Sequence, residues 1–583
     1  DPALAIGAIV ATVVAAVVIG AFGNRVSRTS GDFYVASRAV SPGLNASAIG
    51  GEYLSAASFL GVAGLVLAYG VDMLWYPVGY TVGYLLLLVL VAAPLRRSGA
   101  FTLPDFAQGR LGSARVRAGA TTLVVVIGWL YLVPQMQGAG LTLRAVVGAP
   151  TWVGVLTVGL VVLLTVAGGG MRSITLVQAF QYWLKLVAIT LPVFFVIAAW
   201  RADGAPPVLA ETAPQFGERT TVVMRDDAVL RVDDPVTVQV DGMVDGTEQA
   251  GRLRLASGPY SVEAGTELVF PAGATVPGTE TVPALTGPEW GWPLSNGQSE
   301  PLYRVYSLMI ALFFGTMGLP HVLVRFYTNP DGRAARRTAL AVLGLVGLFY
   351  LAPPVYGALG RLYTPELLLT GRTDAVVLTL PGALVDGAGG QLLGAVVAAG
   401  AFAAFLSTSS GLTVSVAGVL SQDVIGRRTA SPLRAFRLAT VLAVTVPVLL
   451  ALAGESLGVA NMVGLAFAVA ASSFCPLLLL GIWWPRLTAS GALAGLAAGG
   501  GSATLAVLVT ILAGPTDGWA GALLAQPAAW SMPLAFVVMV IVSLLTPREI
   551  PTGVRRIMVR LHTPESLELD RGANLTGRGG RWP

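Results

Sequence analysis

Long uninterrupted apolar runs dominate the chain. A helix needs about 20 mostly apolar residues to cross the hydrocarbon of a bilayer. Thirteen stretches qualify, at 3–23, 46–69, 73–93, 119–146, 151–168, 174–200, 303–326, 338–359, 389–422, 436–454, 458–484, 489–513 and 528–546. The first is longer than the roughly 7–15 apolar residues of a signal-peptide core and lacks a basic leader, so it reads as a span. The chain begins at Asp1 rather than Met, which leaves room for residues before it.

One region breaks the pattern. Residues 201–302 carry 15 of the 31 acidic residues. Apolar and polar positions alternate there over Thr220–Met224, Val236–Val240, Arg252–Leu255 and Glu267–Phe270, between Gly, Pro and Asp turns. Period-two alternation bounded by turn residues predicts strands of a small β-rich insert. It divides 1–200, the first span and a first set of helices, from a second set at 303–484. Two C-terminal spans at 485–546 and a tail at 547–583 complete the division. The insert reads either as a solvated spacer or lid, or as a binder of a partner outside the cell; no obligate protein partner is inferred.

Composition supports an all-α polytopic membrane protein. Of 583 residues, 55% are hydrophobic and only 11% charged, with mean hydropathy +0.73, against about a quarter charged in soluble domains. One Cys and two His (His321 and His562) supply neither a disulfide framework nor a thiolate or imidazole metal centre. No nucleophile–base pair, phosphate loop or metal cluster rises above chance, which argues against an enzyme, and no cofactor is implied.

The arginines orient the chain. With the N-terminus outside, 25 of the 36 basic residues fall in cytoplasmic segments, including Arg325 and the tail arginines, ten fall outside, and Lys185 lies within a span. This agrees with the positive-inside rule. It predicts a multi-pass plasma (inner) membrane protein with a cytoplasmic C-terminus. The net charge of +5 faces anionic lipid and gives no reason to expect nucleic acid.

Polar groups at membrane depth must face protein or water. Span two contains Gly50-Gly51-Glu52-Tyr53-Leu54-Ser55-Ala56-Ala57-Ser58, a poor continuous helix. It reads as interrupted, with freed carbonyls and two half-helix ends, or as a Gly-rich packing face with back-bonded serines. Span seven contains Gly315-Thr316-Met317-Gly318-Leu319-Pro320-His321, where Pro removes a donor and clashes with the preceding turn; a hydrogen-bonded structural role is the simpler one for His321. Span nine carries Ser407-Thr408-Ser409-Ser410. These hydroxyls either bond back one turn or join span-two carbonyls in an all-oxygen cage suited to a hard cation such as Na⁺.

At this point the motifs resemble those of the solute:sodium symporters, most closely the cation/acetate (monocarboxylate) branch. The likeness rests on Glu52-Tyr53-Leu54-Ser55-Ala56-Ala57-Ser58-Phe59-Leu60-Gly61, on Thr102-Leu103-Pro104-Asp105-Phe106 with Arg110, and on Gly169-Gly170-Met171-Arg172-Ser173. It continues with Gly318-Leu319-Pro320-His321 and Arg325-Phe326, Ser421-Gln422-Asp423, and Trp484-Pro485-Arg486-Leu487-Thr488 with Gly491. The resemblance implies a leucine-transporter-like core of two inverted five-helix repeats, spans two to six and seven to eleven, working by alternating access. It implies a Na⁺ site at Gly51, Leu54, Ala404, Ser407 and Thr408. The substrate pocket would lie beside it, near Tyr131, Pro134, Gln135 and Gln137, with Ser55, Ser58 and Thr316 as further candidates.

Two departures bear on coupling. Many relatives carry an acidic residue where this chain has Gln178. Lys185, the only lysine, sits midway along span six, where an ionisable group is a functional candidate and a buried lysine loses its proton readily. In sodium-independent relatives of this general fold a lysine on the equivalent helix stands in for sodium; the plainer alternative is a structural pair with Glu52. The expected activity is uptake of acetate or a similar small monocarboxylate with Na⁺ or H⁺. Proline, a sugar, or proton coupling through Lys185 are the alternatives. Half-helix N-termini at the two breaks would hold the carboxylate, since no core arginine is expected.

Overall fold

The computed structural model describes residues 2–26, 40–280, 282–295, 299–426, 429, 431–454, 458–514 and 518–565. Arg28, Arg38, Arg427, Arg428, Arg571, Arg578 and Arg581, counted above as cytoplasmic, lie outside them. Helix α1 is Pro2–Val26, and the first repeat follows as α2 (Pro42–Tyr53), α3 (Val62–Tyr69), α4 (Trp75–Leu90), α5 (Ala92–Ser98), α6 (Leu103–Leu111), α7 (Ala114–Val147) and α8 (Thr151–Ala202). After the insert and the short α9 (Gly287–Gly291) come α10 (Pro301–Thr316), α11 (Pro320–Val324), α12 (Gly332–Phe349), α13 (Pro353–Tyr363), α14 (Glu366–Leu369) and α15 (Val376–Leu384). The remainder is α16 (Gly387–Leu420), α17 (Pro432–Ala453), α18 (Val459–Trp483), α19 (Ala489–Gly495), α20 (Ser502–Ala513), α21 (Gly518–Ala525), α22 (Ala528–Leu545) and α23 (Val554–His562).

Among the described residues, 12 helical runs are long and apolar enough to cross a membrane, against the thirteen expected. The difference is local. Ala57–Leu90 forms one continuous run, but the chain reverses within it at Gly70, whose φ is 77°. After that turn Tyr80 and Tyr84 of α4 return to pack on Tyr53, with ring centroids 5.7 and 4.6 Å apart. A straight helix would carry those residues about 40 Å away. Spans five and six stand apart as expected, at Thr151–Gly169 and Met171–Ala202. The helix α8 folds back between them: a Cβ on Gly20 would touch both Thr165 (3.6 Å) and Val177 (3.7 Å), which a straight helix would hold about 18 Å apart.

The two interrupted helices stand at corresponding places in the two halves. The first breaks at Leu54–Ser55, between α2 and a single π-turn (Ala57–Gly61) that leads into α3. The second breaks at Met317–Leu319, between α10 and α11. Neither can continue: Gly50-Gly51 lowers helix propensity, and Pro320 has no N–H to close the preceding turn. Long α16 packs along α8 and α7 and is buried without interruption from Val397 to Leu420.

The insert is a 7-stranded sheet of β1 (Thr220–Val223), β2 (Ala228–Val232), β3 (Val236–Val244), β4 (Thr247–Leu255), β5 (Gly258–Val262), β6 (Glu267–Phe270) and β7 (Gly278–Thr279). The predicted strands fall in β1, β3, β4 and β6; β2, β5 and β7 went unseen. Asp245 and Gly246 both take positive φ, 50° and 69°, in the two-residue turn joining β3 to β4, the geometry a tight hairpin needs. From the sheet the chain reaches α9, where Trp290 Nε1 donates to the carbonyls of Val66 (2.8 Å) and Leu67 (3.1 Å) at the end of α3. At the opposite end α23 rests on α5, and Glu565 bridges Arg97 (3.3 Å) and the Gly332 N–H (2.9 Å).

A Cβ on Gly70 would stand 1.9 Å from the Trp290 carbonyl oxygen, whereas one on Gly112 (φ 66°) would meet nothing. Gly70→Ala is therefore expected to destabilise the protein by more than the roughly 1–3 kcal/mol of backbone strain alone, and by more than Gly112→Ala. Thermal melting of both variants in detergent checks the order.

Candidate functional site

The break in span two leaves backbone groups to be satisfied, and each is. In a continuous helix the carbonyls of Gly51 and Glu52 would accept from the N–H groups of Ser55 and Ala56. Here Ser55 N–H turns to the Tyr53 carbonyl (2.9 Å) and Ala56 N–H donates to Gln135 Oε1 (3.0 Å). The freed Glu52 carbonyl accepts from Thr408 Oγ1 at 2.6 Å, and the Gly51 carbonyl from Ser407 Oγ at 2.6 Å. Ser407 Oγ also lies 3.2 Å from the Ala404 carbonyl.

The centre of this set is the Lys185 ammonium. It donates to the carbonyl of Gly51, to the carbonyl of Leu54 at 2.6 Å, and to Ser407 Oγ at 2.9 Å. Three N–H donors meet three oxygens, which satisfies the group completely. Gly51, Leu54, Ala404, Ser407 and Thr408 thus gather in one place, all buried. Ala404 touches the lysine only through Ser407, and Thr408 serves the neighbouring carbonyl. Of the other two span-nine hydroxyls, Ser409 Oγ has no partner among the described residues.

A second layer overturns two expectations. Arg325, assigned by sequence to a cytoplasmic segment, is fully buried, so the bundle does hold a core arginine. Its Nε pairs with Glu52 Oε2 at 2.7 Å, its Nη1 donates to Thr175 Oγ1 at 2.7 Å, and its Nη2 donates to Gln178 Oε1. The ion-pair partner of Glu52 is therefore Arg325 rather than Lys185. Gln178 Nε2 donates to the Ser407 carbonyl at 2.7 Å, linking this layer to the lysine. Gly411 makes room for the carboxylate: a Cβ there would lie 2.0 Å from Glu52 Oε1.

The pocket candidates separate. Tyr131 OH donates to Ser55 Oγ at 3.2 Å, and Gln135, one turn on, holds Ala56 N–H. Thr316 Oγ1 shares a hydrogen bond of 2.9 Å with Tyr53 OH, joining the last residues of α2 and α10 at the two breaks. Ser58 lies farther along and bonds Tyr350 OH at 2.6 Å. Gln137 turns away to the Gly454 carbonyl (3.1 Å), and Pro134 lies inside α7. Sequence reasoning missed Tyr53, Tyr80, Tyr84 and Phe467, which wall the region with ring centroids 4.6 to 6.3 Å from one another. Four aromatics spread over three helices leave no local pattern to read. At the end remote from the insert a narrow cleft is lined by Phe101, Thr102, Val124, Pro320, Val414 and Val419.

Paired interrupted helices enclosing buried charge at mid-bundle define a secondary transporter. The model of the family described as "Sodium:solute symporter family" matches residues 33–242 and 294–499. The chain is 30% identical over 630 residues to an uncharacterised symporter of Cupriavidus necator, covering 90% of each protein. It is also 30% identical to a monocarboxylic acid transporter of Corynebacterium glutamicum, over 87% of this chain and 85% of that one. Among solved structures, a Na⁺-coupled sialic acid symporter in a substrate-bound outward-open state shares the fold, with TM-score 0.63, 13% identity and coverage of 93% and 97%. The chain belongs to the sodium:solute symporter family and is a multi-pass membrane transporter.

Removing one partner of a buried ion pair strands the other charge, at about 3–5 kcal/mol. Arg325→Met is expected to lower stability by that amount, and Glu52→Gln added to it should recover part of the loss. A double-mutant cycle of unfolding in detergent measures both terms.

Proposed function

We propose that the protein imports acetate or a similarly small monocarboxylate across the plasma membrane, driven by protons through Lys185 in place of bound Na⁺. The observation that carries this reading is the ammonium seated among Gly51 O, Leu54 O and Ser407 Oγ, three of the oxygens expected to hold sodium. A Na⁺ ion cannot share those oxygens with it. The protonated lysine ties α2 and α16 through its three donors; a neutral amine keeps only two, so proton loss loosens the link between them. That gives the proton leverage over the two helices that a bound cation would otherwise join.

The charge balance favours an anion. In their ordinary states Glu52 contributes one negative charge, and Arg325 and Lys185 contribute one positive charge each, a buried surplus of +1. A carboxylate beside the breaks offsets that surplus, and the monocarboxylic acid transporter relative adds support. A lone anion moving into a negative cytoplasm works against about 2.3 kcal/mol per 100 mV; one proton travelling with it cancels the charge. We further propose that the insert end faces outside and the arginine-rich end the cytoplasm, in keeping with the positive-inside rule. On that orientation residues 201–302 act as an outer lid.

Sodium coupling keeps one specific support. If Lys185 withdrew, Gly51, Leu54, Ala404, Ser407 and Thr408 would present oxygens of the kind a hard cation takes. Uptake by sealed proteoliposomes with Na⁺ and pH gradients imposed separately decides between the two. An inward pH gradient of one unit, without Na⁺, is expected to drive about tenfold acetate accumulation. Lys185→Met should abolish that accumulation but spare exchange of labelled for unlabelled acetate. Accumulation that needs Na⁺ and survives Lys185→Met would overturn the proton reading, and counterflow confined to proline or glucose would overturn the substrate.

A further inference from the structure

His321 and Gln135 each hold buried polar atoms that the fold leaves unsatisfied. His321 is the second residue of α11, just past the break in span seven, and is fully buried. Neither of its ring nitrogens has a hydrogen-bond partner among the described residues. Its ring lies 5.3 Å from that of Tyr131. On α7, one turn from Tyr131, Gln135 is equally buried, and its Nε2 also lacks a partner among the described residues.

The amide of Gln135 has only one orientation open to it. Ala56 N–H can only donate, so the group facing it at 3.0 Å is the amide oxygen. The NH₂ must then point away from the span-two half-helix. Tyr131, one turn back on the same face, meets His321 with its ring and Ser55 with its hydroxyl. Unpartnered donors from α7 and α11 therefore flank one tyrosine at the level of both helix breaks. A structural histidine would show at least one protein partner, because leaving a buried polar group unsatisfied is destabilising.

We infer that His321 and Gln135 together bind the substrate carboxylate, one N–H donor to each oxygen. The assignment rests on the monocarboxylate reading above and adds the residues that select the headgroup. Neither side chain carries a fixed charge, so the pair recognises the carboxylate by geometry and leaves charge compensation to the Lys185–Arg325–Glu52 set. Tyr131 and Phe467, with ring centroids 6.1 Å apart, stand alongside and restrict the acyl chain to a short one.

Acetate is the probe, used with the full chain. Kinetics of uptake and the acetate-induced rise in melting temperature are compared for wild type, His321→Leu, His321→Gln and Gln135→Leu. Both leucine variants should raise the acetate KM at least about tenfold, the scale of one unmatched hydrogen bond to a substrate, and lose the acetate-induced rise. Without acetate His321→Leu should melt with wild type, whereas Gln135→Leu should melt lower because it strands the buried Ala56 N–H; His321→Gln, which restores an N–H donor, should recover part of the affinity. A His321→Leu protein with wild-type KM and stabilisation would overturn the assignment. So would equal failure of His321→Leu and His321→Gln with a lowered substrate-free melting temperature, the mark of a packing role. A wild type that neither moves nor is stabilised by any short carboxylate would overturn the substrate reading and this assignment with it.

Discussion

Everything near the middle of this bundle depends on how one broken helix disposes of its own carbonyls. When α2 stops at Tyr53, the oxygens of Gly51, Glu52 and Leu54 lose their helical donors. Buried carbonyls without partners are strongly disfavoured, so something on neighbouring helices must supply hydrogens. Lys185 on α8 and Ser407 and Thr408 on α16 do so. An ammonium is also expensive to bury alone. Each problem solves the other: the lysine gains three oxygens, and hydrogen bonds to a charged group contribute about 1.5–3 kcal/mol each. The broken backbone and the buried cation are therefore one structural unit.

The second charged layer has a different part. Arg325 and Glu52 neutralise each other directly, and Gln178 binds the arginine through its oxygen and the Ser407 carbonyl through its nitrogen. A carboxylate in place of Gln178 would attract the Arg325 guanidinium more strongly and would erase the buried positive surplus. The amide keeps the contact while leaving that surplus in place. Such a balance suits a site visited by an anion, and it ties α2, α8, the turn after α11, and α16 into one polar network at the depth where the helices break.

How much of this could be read in advance follows from how local each signal is. Spans announced themselves through hydropathy. The two breaks were legible because Gly50-Gly51 and Gly315 to Pro320 violate helix rules within a few residues. Strands β1, β3, β4 and β6 showed alternation, while β2 opens on three apolar residues in a row, β5 opens on Gly-Pro, and β7 is only Gly278–Thr279. The turn between spans five and six was legible too, because Gly169 to Arg172 put glycines beside an arginine. Arg325 was misplaced because its neighbours Arg333, Arg336 and Arg337 mark a water-facing segment, while its true partner Glu52 lies 273 residues away. Lys185 stood out as an anomaly, but its three acceptors come from segments 131 to 222 residues distant.

The central claim is that Lys185 holds the position a sodium ion would otherwise take. Thermal unfolding of the purified protein in detergent, titrated with NaCl against choline chloride, tests it most directly when wild type and Lys185→Ala are run side by side. The account predicts that Na⁺ leaves the wild-type melting temperature unmoved and raises that of Lys185→Ala, where the oxygens stand free. Specific stabilisation of the wild type by Na⁺, lost or unchanged in Lys185→Ala, would contradict it.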